Sequence, residues 1–242
     1  MYKRGYALIL DGEDASLGAL ALSLIRMGVD VLYANDRHEA LLLSGQKEAA
    51  RVRALLFPED HDLGGLRSVR ARLQARRGRP RLGMVAVGVL DEPERCAALA
   101  KEGAEWALRP PYDGSLLRWV VNVAMTPDER HGRIHTRVPT SLLARGKIDF
   151  REKEMLVGNL SVDGAFVETQ LPSRLGTRIT LQIPLPSGEI VAAGLVSYRR
   201  EPGDPAGLSQ SPGMGVAFEP LEPHALALLS EYVTATARHF TL

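Results

Sequence analysis

The sequence predicts an α/β domain built on a doubly wound parallel five-stranded sheet, followed by an all-β domain. The second is a small antiparallel six-stranded barrel with a helix after its last strand. Two observations carry this. Over the first half, short apolar runs alternate with segments whose apolar residues recur at helical spacing. Beyond Met125, strand-like runs follow one another with turn signals between them and no helix. A chain of 242 residues has room for two ordinary domains.

The first strand is "YALILD" at 6–11, an apolar run that ends in an acid. Behind it Leu17, Leu20, Ala21 and Leu24 fall on one face of a helix. The same unit recurs at "VDVLYAN" (29–35), "VRALLF" (52–57), "LGMVAVGVL" (82–90) and "AEWAL" (104–108), each leading into a helix-compatible segment. Residues 1–125 therefore form one domain. The segment 126–139, "TPDERHGRIHTRVP", is polar and carries Pro and Gly, which marks a linker. Residues 140–242 form the second domain, with strands expected near 140–145, 153–160, 164–169, 177–184, 189–198 and 213–219. Ile179, Leu181 and Ile183 alternate with polar neighbours, and "PLPSGE" supplies a hairpin turn. In "EPHALALLSEYVTATARHF", Leu226, Leu229, Tyr232 and Val233 share one helix face, so a helix is expected to close the barrel.

Composition limits the chemistry. Hydrophobic residues make up 45% and charged residues 24%, and the net charge of +1 gives no chain-wide attraction for a nucleic-acid polymer. Any phosphate recognition must be local. The first residues lack a signal-peptide pattern and no run reaches transmembrane length, so the expectation is a cytoplasmic protein without membrane insertion. Cys96 stands alone, which excludes a disulfide framework and suggests a buried small hydrophobe. The basic run "RSVRARLQARRGRPR" at 67–81 lacks interleaved aromatics and shares a helix with Leu66, Val69 and Leu73, so it reads as a solvated face. The six histidines show no metal-ligand spacing, and His131 and His135 lie among arginines that disfavour a cation. Ser161 has no G-x-S-x-G around it. No catalytic residues and no metal or cofactor site are expected, and no enzyme.

The element order over residues 4–125 resembles the receiver domain of response regulators, a flavodoxin-like fold, with "ALRPPYDGSLLRWV" similar to its last strand and helix. The resemblance implies an acidic pair for Mg²⁺ after the first strand, a phosphoryl-accepting Asp at the end of the third, a Ser/Thr at the end of the fourth and a Lys at the end of the fifth. Phosphoryl transfer needs those types: hard oxygen ligands, a carboxylate nucleophile, and a hydroxyl and a cation for the product oxygens. This chain departs from the pattern. Asp11 is followed by Gly12, with Glu13 and Asp14 as partial substitutes. Phe57 or Pro58 stands at the Asp position, with Glu59 and Asp60 beyond it. Gly88 replaces the hydroxyl and Arg109 the Lys. The expectation is a degenerate pseudo-receiver used as a surface.

In the second half, "RIHTR" at 133–137 and "NLSVDG" at 159–164 stand in order, 22 residues apart from Arg137 to Asn159. With "RVP", "GAFVET" and "PGMGVAFEP" around them, they resemble the PilZ domain, a bacterial receptor module for cyclic di-GMP with an R-x-x-x-R linker and a [D/N]-x-S-x-x-G corner. The resemblance implies that Arg133, Arg137, Asn159, Ser161 and Gly164 hold that ligand, with Arg130 as a further candidate cation. The chemistry suits it. A guanidinium matches phosphate oxygens and guanine O6/N7 and stacks on a base. Asn159 and Ser161, two apart on an extended segment, point the same way, while Gly164 permits a tight turn.

The expected function is a bacterial signalling protein that binds cyclic di-GMP and passes the message to an unidentified protein partner, with motility or surface behaviour as the family's usual output. Two alternatives remain open at this point: a constitutive adaptor whose barrel binds no nucleotide, and a phosphorylated response regulator.

Overall fold

The computed structural model describes residues 5–12, 14, 16–75, 81–126, 136–148, 151–202 and 211–242. The chain divides into two compact units, one of Met1–Gly132 with His239–Leu242 and the other of Arg133–Arg238.

The first unit alternates strand and helix: β1 (Tyr6–Leu10), α1 (Gly18–Arg26), β2 (Asp30–Ala34), α2 (Arg37–Ser44), β3 (Val52–Pro58), α3 (Leu63–Gln74), β4 (Gly83–Val87), α4 (Pro93–Lys101), β5 (Trp106–Leu108) and α5 (Gly114–Met125), with one 3₁₀ turn at Glu48–Arg51. The strands are parallel in the order β2-β1-β3-β4-β5, the doubly wound arrangement in which helices cover both faces. Strands β1, β3, β4 and β5 therefore bury both sides, while the edge strand β2 is only partly buried. Ala7 and Ile9 join the core under α1 and α5, and Leu8 and Leu10 the core on the opposite face with Leu66, Val69 and Leu73. Helix starts are set by short polar side chains. Asp36 accepts from the Glu39 amide at 2.8 Å, Asp62 from Gly65 and Asp113 from Leu116 at 2.8 Å, each filling an acceptor role that the helix cannot supply for its first N–H groups. Helix α4 begins with Pro93, whose missing N–H costs nothing there.

Residues 239–242, which the sequence assigns to the second domain, pack in the first. Thr241 bridges Trp106, the Ala107 amide donates to the Phe240 carbonyl at 2.9 Å, and the Phe240 ring lies 5.7 Å from that of Trp119. The sequence offers no periodic signal over four residues, so periodicity could not place them. Cys96 is half-buried rather than buried, its thiol 3.5 Å from the Leu90 carbonyl.

The second unit holds β6 (Val138–Ile148), β7 (Arg151–Ser161), β8 (Gly164–Glu168), β9 (Arg178–Leu185), β10 (Gly188–Arg200), β11 (Gly213–Phe218) and α6 (Pro223–Ala237). The strands close as an antiparallel barrel, β10-β11-β8-β7-β6-β9, with β9 paired back to β10. Closure leaves no sheet edge to satisfy. Ile179, Leu181 and Ile183 point inward, and α6 adds Leu229 and Val233 to the same core. Leu226, expected on that face, is 43% exposed.

No helix among the described residues is long and apolar enough to cross a membrane.

Candidate functional site

Strand β7 changes phase at one residue. Met155 and Val157 face the barrel interior, so strict alternation would send Asn159 inward as well. The β7–β8 pairing runs Val157 to Val167 and then Asn159 to Phe166, which leaves Gly158 as the extra residue of a bulge. The bulge turns Asn159 outward and Leu160 into the core. A polar amide thereby escapes the interior.

On the other side of β7, Pro139 pairs with Asn159 and Val138 with Leu160. Continuing that register carries Arg137, half-buried, to the level of Ser161. The structure thus brings together Arg137, Asn159 and Ser161, which are far apart in sequence. Arg130 and Arg133 lie outside the described residues, as do Glu13, His131 and His135.

The Asn159 Oδ1 atom is buried, and no donor reaches it among the described residues. Leaving a buried amide oxygen unpaired costs about 1–3 kcal/mol, and buried groups of this kind are rare. An unpaired acceptor beside an arginine on the outer barrel surface is where a ligand donor, such as the edge of a base, would fit. Ser161 stands differently. It is fully buried, and its hydroxyl faces two acceptors of the same corner, the Asp163 carboxylate and the Gly164 carbonyl at 3.1 Å. Gly164 sits where β8 meets β11, and a Cβ there would collide with the Val216 carbonyl. Both fix the corner that presents Asn159.

Residues 129–235 match the PilZ domain. The second unit carries a PilZ domain. Solved structures similar to this chain include the PilZ domain of Escherichia coli YcgR with cyclic di-GMP (17% identity, TM-score 0.35, 44% of this chain and 92% of that one). Another is the chemotaxis protein CheY4 of Vibrio cholerae (18%, 0.42, 50% and 99%). A third is the Bacillus subtilis inhibitor of motility, at 20% identity and a TM-score of 0.38, covering 44% of this chain and 51% of that one. The chain spans about half the length of the B. subtilis protein. No curated protein matches the chain.

In the first unit, several of the positions that the receiver pattern marks out are engaged within the fold. Asp11 is fully buried. Its Oδ1 accepts from the Gly12 amide at 2.8 Å and its Oδ2 from the Leu17 amide at 2.9 Å and from the Tyr33 hydroxyl. Burial, reinforced by that bond to the carboxylate, pushes the Tyr33 phenol up to about 12. Phe57 is buried in the core and Pro58 ends β3 opposite Val87, so neither offers a nucleophile. The Glu59 carboxylate lies against Gly88 and accepts from the Val89 amide at 2.9 Å and from the Leu90 amide. Arg109 donates to the His239 carbonyl at 2.7 Å. Asp14 is exposed. Among the described residues no group of three His, Cys, Asp or Glu side chains is placed to hold a metal.

Sequence reasoning missed the unpaired state of Asn159 and the role of Glu59, since neither leaves a trace in spacing. It also missed Phe166, which faces Asn159 across the ladder. The signal available was "GMG" in β11, two glycines placed where neighbouring rings can lie flat.

Proposed function

We propose that this protein is a receptor for cyclic di-GMP whose ligand sits on the outer surface of the PilZ barrel, between Arg137 and the Asn159 corner. The observation that carries this reading is the buried Oδ1 of Asn159, which no donor reaches among the described residues, at the corner that the β6–β7 register sets against the Arg137 end of β6. Arg137 supplies the fork for a phosphate or a guanine edge, and Arg133 is proposed as the second cation of the pair. Asn159 accepts from a guanine N–H. Ser161 and Gly164 hold the turn. The protein acts by ligand-dependent contacts with a protein partner, the receiver-like unit serving as a surface and the part of 126–139 that precedes β6 as the linker. Control of motility or surface behaviour is the proposed output, on the family resemblance alone. No enzymatic step is assigned.

Ser161 favours a second reading. Because its hydroxyl is engaged inside the corner, the turn is self-sufficient, which suits a constitutive adaptor that binds no nucleotide. Isothermal titration of the full chain with cyclic di-GMP decides: saturable binding supports the receptor, and no heat at millimolar ligand leaves the adaptor.

A further inference from the structure

A second bulge repeats, on β10, what Gly158 does on β7. Ile190, Ala192 and Val196 of β10 face the interior, and alternation would send Tyr198 after them. The β10–β11 pairing instead steps from Val196–Val216 to Tyr198–Gly215, leaving Ser197 as the extra residue. Tyr198 is turned out of the barrel and is 36% exposed. Outward-facing positions then form one row across four strands: Asn159 of β7 opposes Phe166 of β8, Phe166 opposes Gly215 of β11, and Gly215 opposes Tyr198 of β10.

The row is paved. The Tyr198 ring lies across the backbone of Gly215, where any Cβ would collide with it, and the tip of the Phe166 ring would come within 2.7 Å of a Cβ at Gly213. The two rings are nearly parallel, 16° apart, with centroids at 6.1 Å. Arg200, two residues along β10, places its guanidinium 5.1 Å from the Phe166 centroid. Glycine at 213 and 215 is what lets the rings lie down on the sheet instead of standing off it. A purely structural cover of glycine would need only buried aromatics, and Phe166 at 3% exposure fits that role. Tyr198 does not, since it keeps a wet face one ring beyond the neighbour of Asn159.

We infer that Tyr198 is a base-stacking platform that extends the Asn159 site and takes a guanine of the bound dinucleotide, with Arg200 supplying positive charge beside it. This rests on the reading of the PilZ domain as a cyclic di-GMP receptor. A flat, half-wet aromatic beside an arginine is suited to a purine because stacking and cation–π attraction both act on its face. The two re-aimed residues divide the work: Asn159 reads an edge, and Tyr198 holds a face.

The test uses the full chain and cyclic di-GMP. Tyr198→Leu is expected to weaken binding about 5- to 150-fold, the range for losing one base–aromatic stack, whereas Tyr198→Phe retains wild-type affinity. Since Tyr198→Leu also uncovers Gly215, a second readout avoids the variant. In wild-type protein with ¹³C-labelled tyrosine, the Tyr198 ring signals, assigned by their loss in Tyr198→Phe, should move upfield on saturation. Equal affinity of Tyr198→Leu and wild type, or unmoved Tyr198 signals in a saturated sample, overturns the platform and leaves the receptor reading intact. Absence of binding by wild type overturns both.

Discussion

Pro139 lies directly across the β6–β7 ladder from Asn159, and this single pairing sets the Arg137 end of β6 against the corner that ends β7. The buried Oδ1 of Asn159 has no protein donor there among the described residues. Stability and binding should therefore pull in opposite directions at this position. Asn159→Leu, close in volume, removes the unpaired group and is expected to stabilise the ligand-free barrel by about 1 kcal/mol while abolishing measurable affinity for cyclic di-GMP. Arg137→Ala should weaken binding about tenfold or more without the gain in stability, as loss of a charge-assisted contact does. Paired denaturation and titration curves on the two variants check this. A destabilised Asn159→Leu would mean that the side chain is satisfied in solution.

Ser161 should behave in the reverse sense. Its hydroxyl donates within the corner, so Ser161→Ala leaves the Gly164 carbonyl short of a partner and is expected to cost about 1 kcal/mol of stability. In a barrel of this size that lowers the melting temperature by about 4–8 °C. Affinity should fall as the corner loosens, while the variant remains folded at room temperature. Calorimetric melting followed by ligand titration separates the two effects.

The receiver-like unit should not accept a phosphoryl group. Acetyl phosphate with Mg²⁺ is expected to give no mass increase, because Pro58 ends β3 and the Glu59 carboxylate is held by the Val89 and Leu90 amides. A stable adduct on Glu59 or Asp60, located by peptide mass spectrometry, would return the chain to the phosphorylated regulators.

Acid should weaken the same unit through His61. The ring is half-buried, and burial holds its pKa below the usual 6.5, outweighing the pull of Asp62 and Asp60 in the opposite direction. A depressed pKa means that the folded state prefers the neutral ring. The associated stability is present above about pH 6.5, the value for the unfolded chain, and is lost as pH falls through the lower folded value. Denaturation midpoints followed by tryptophan emission should decline over that window, since both tryptophans, Trp106 and Trp119, lie in this unit. His61→Gln should flatten the decline. An unchanged slope in the variant would assign the titration to another group.

Much of this was legible in the sequence because burial imposes a period. Leu17, Leu20, Ala21 and Leu24 occupy the helix face that their spacing requires, and Ile179, Leu181 and Ile183 line the barrel as alternation demands. The corner was legible for a related reason: Asn, Ser, Asp and Gly have few uses other than a turn. What escaped was local and aperiodic. The bulges at Gly158 and Ser197 each reverse the side of a strand with one residue, and Tyr198 reads as an inward residue until the register is known. Residues 239–242 escaped because four residues define no period, and their partners lie on β5 and α5, more than a hundred positions earlier.

That last arrangement bears on how the molecule is made. Trp106 and Thr241 form their bridge only after the whole barrel sequence has been synthesised. A chain folds domain by domain as it emerges from the ribosome, so the receiver-like sheet must wait with the flank of β5 uncovered while residues 133–238 are added. A single cut between the two units yields neither intact. A fragment ending at residue 126 lacks the Phe240 ring that packs on Trp119, and a fragment beginning at residue 133 carries that ring with nothing to receive it.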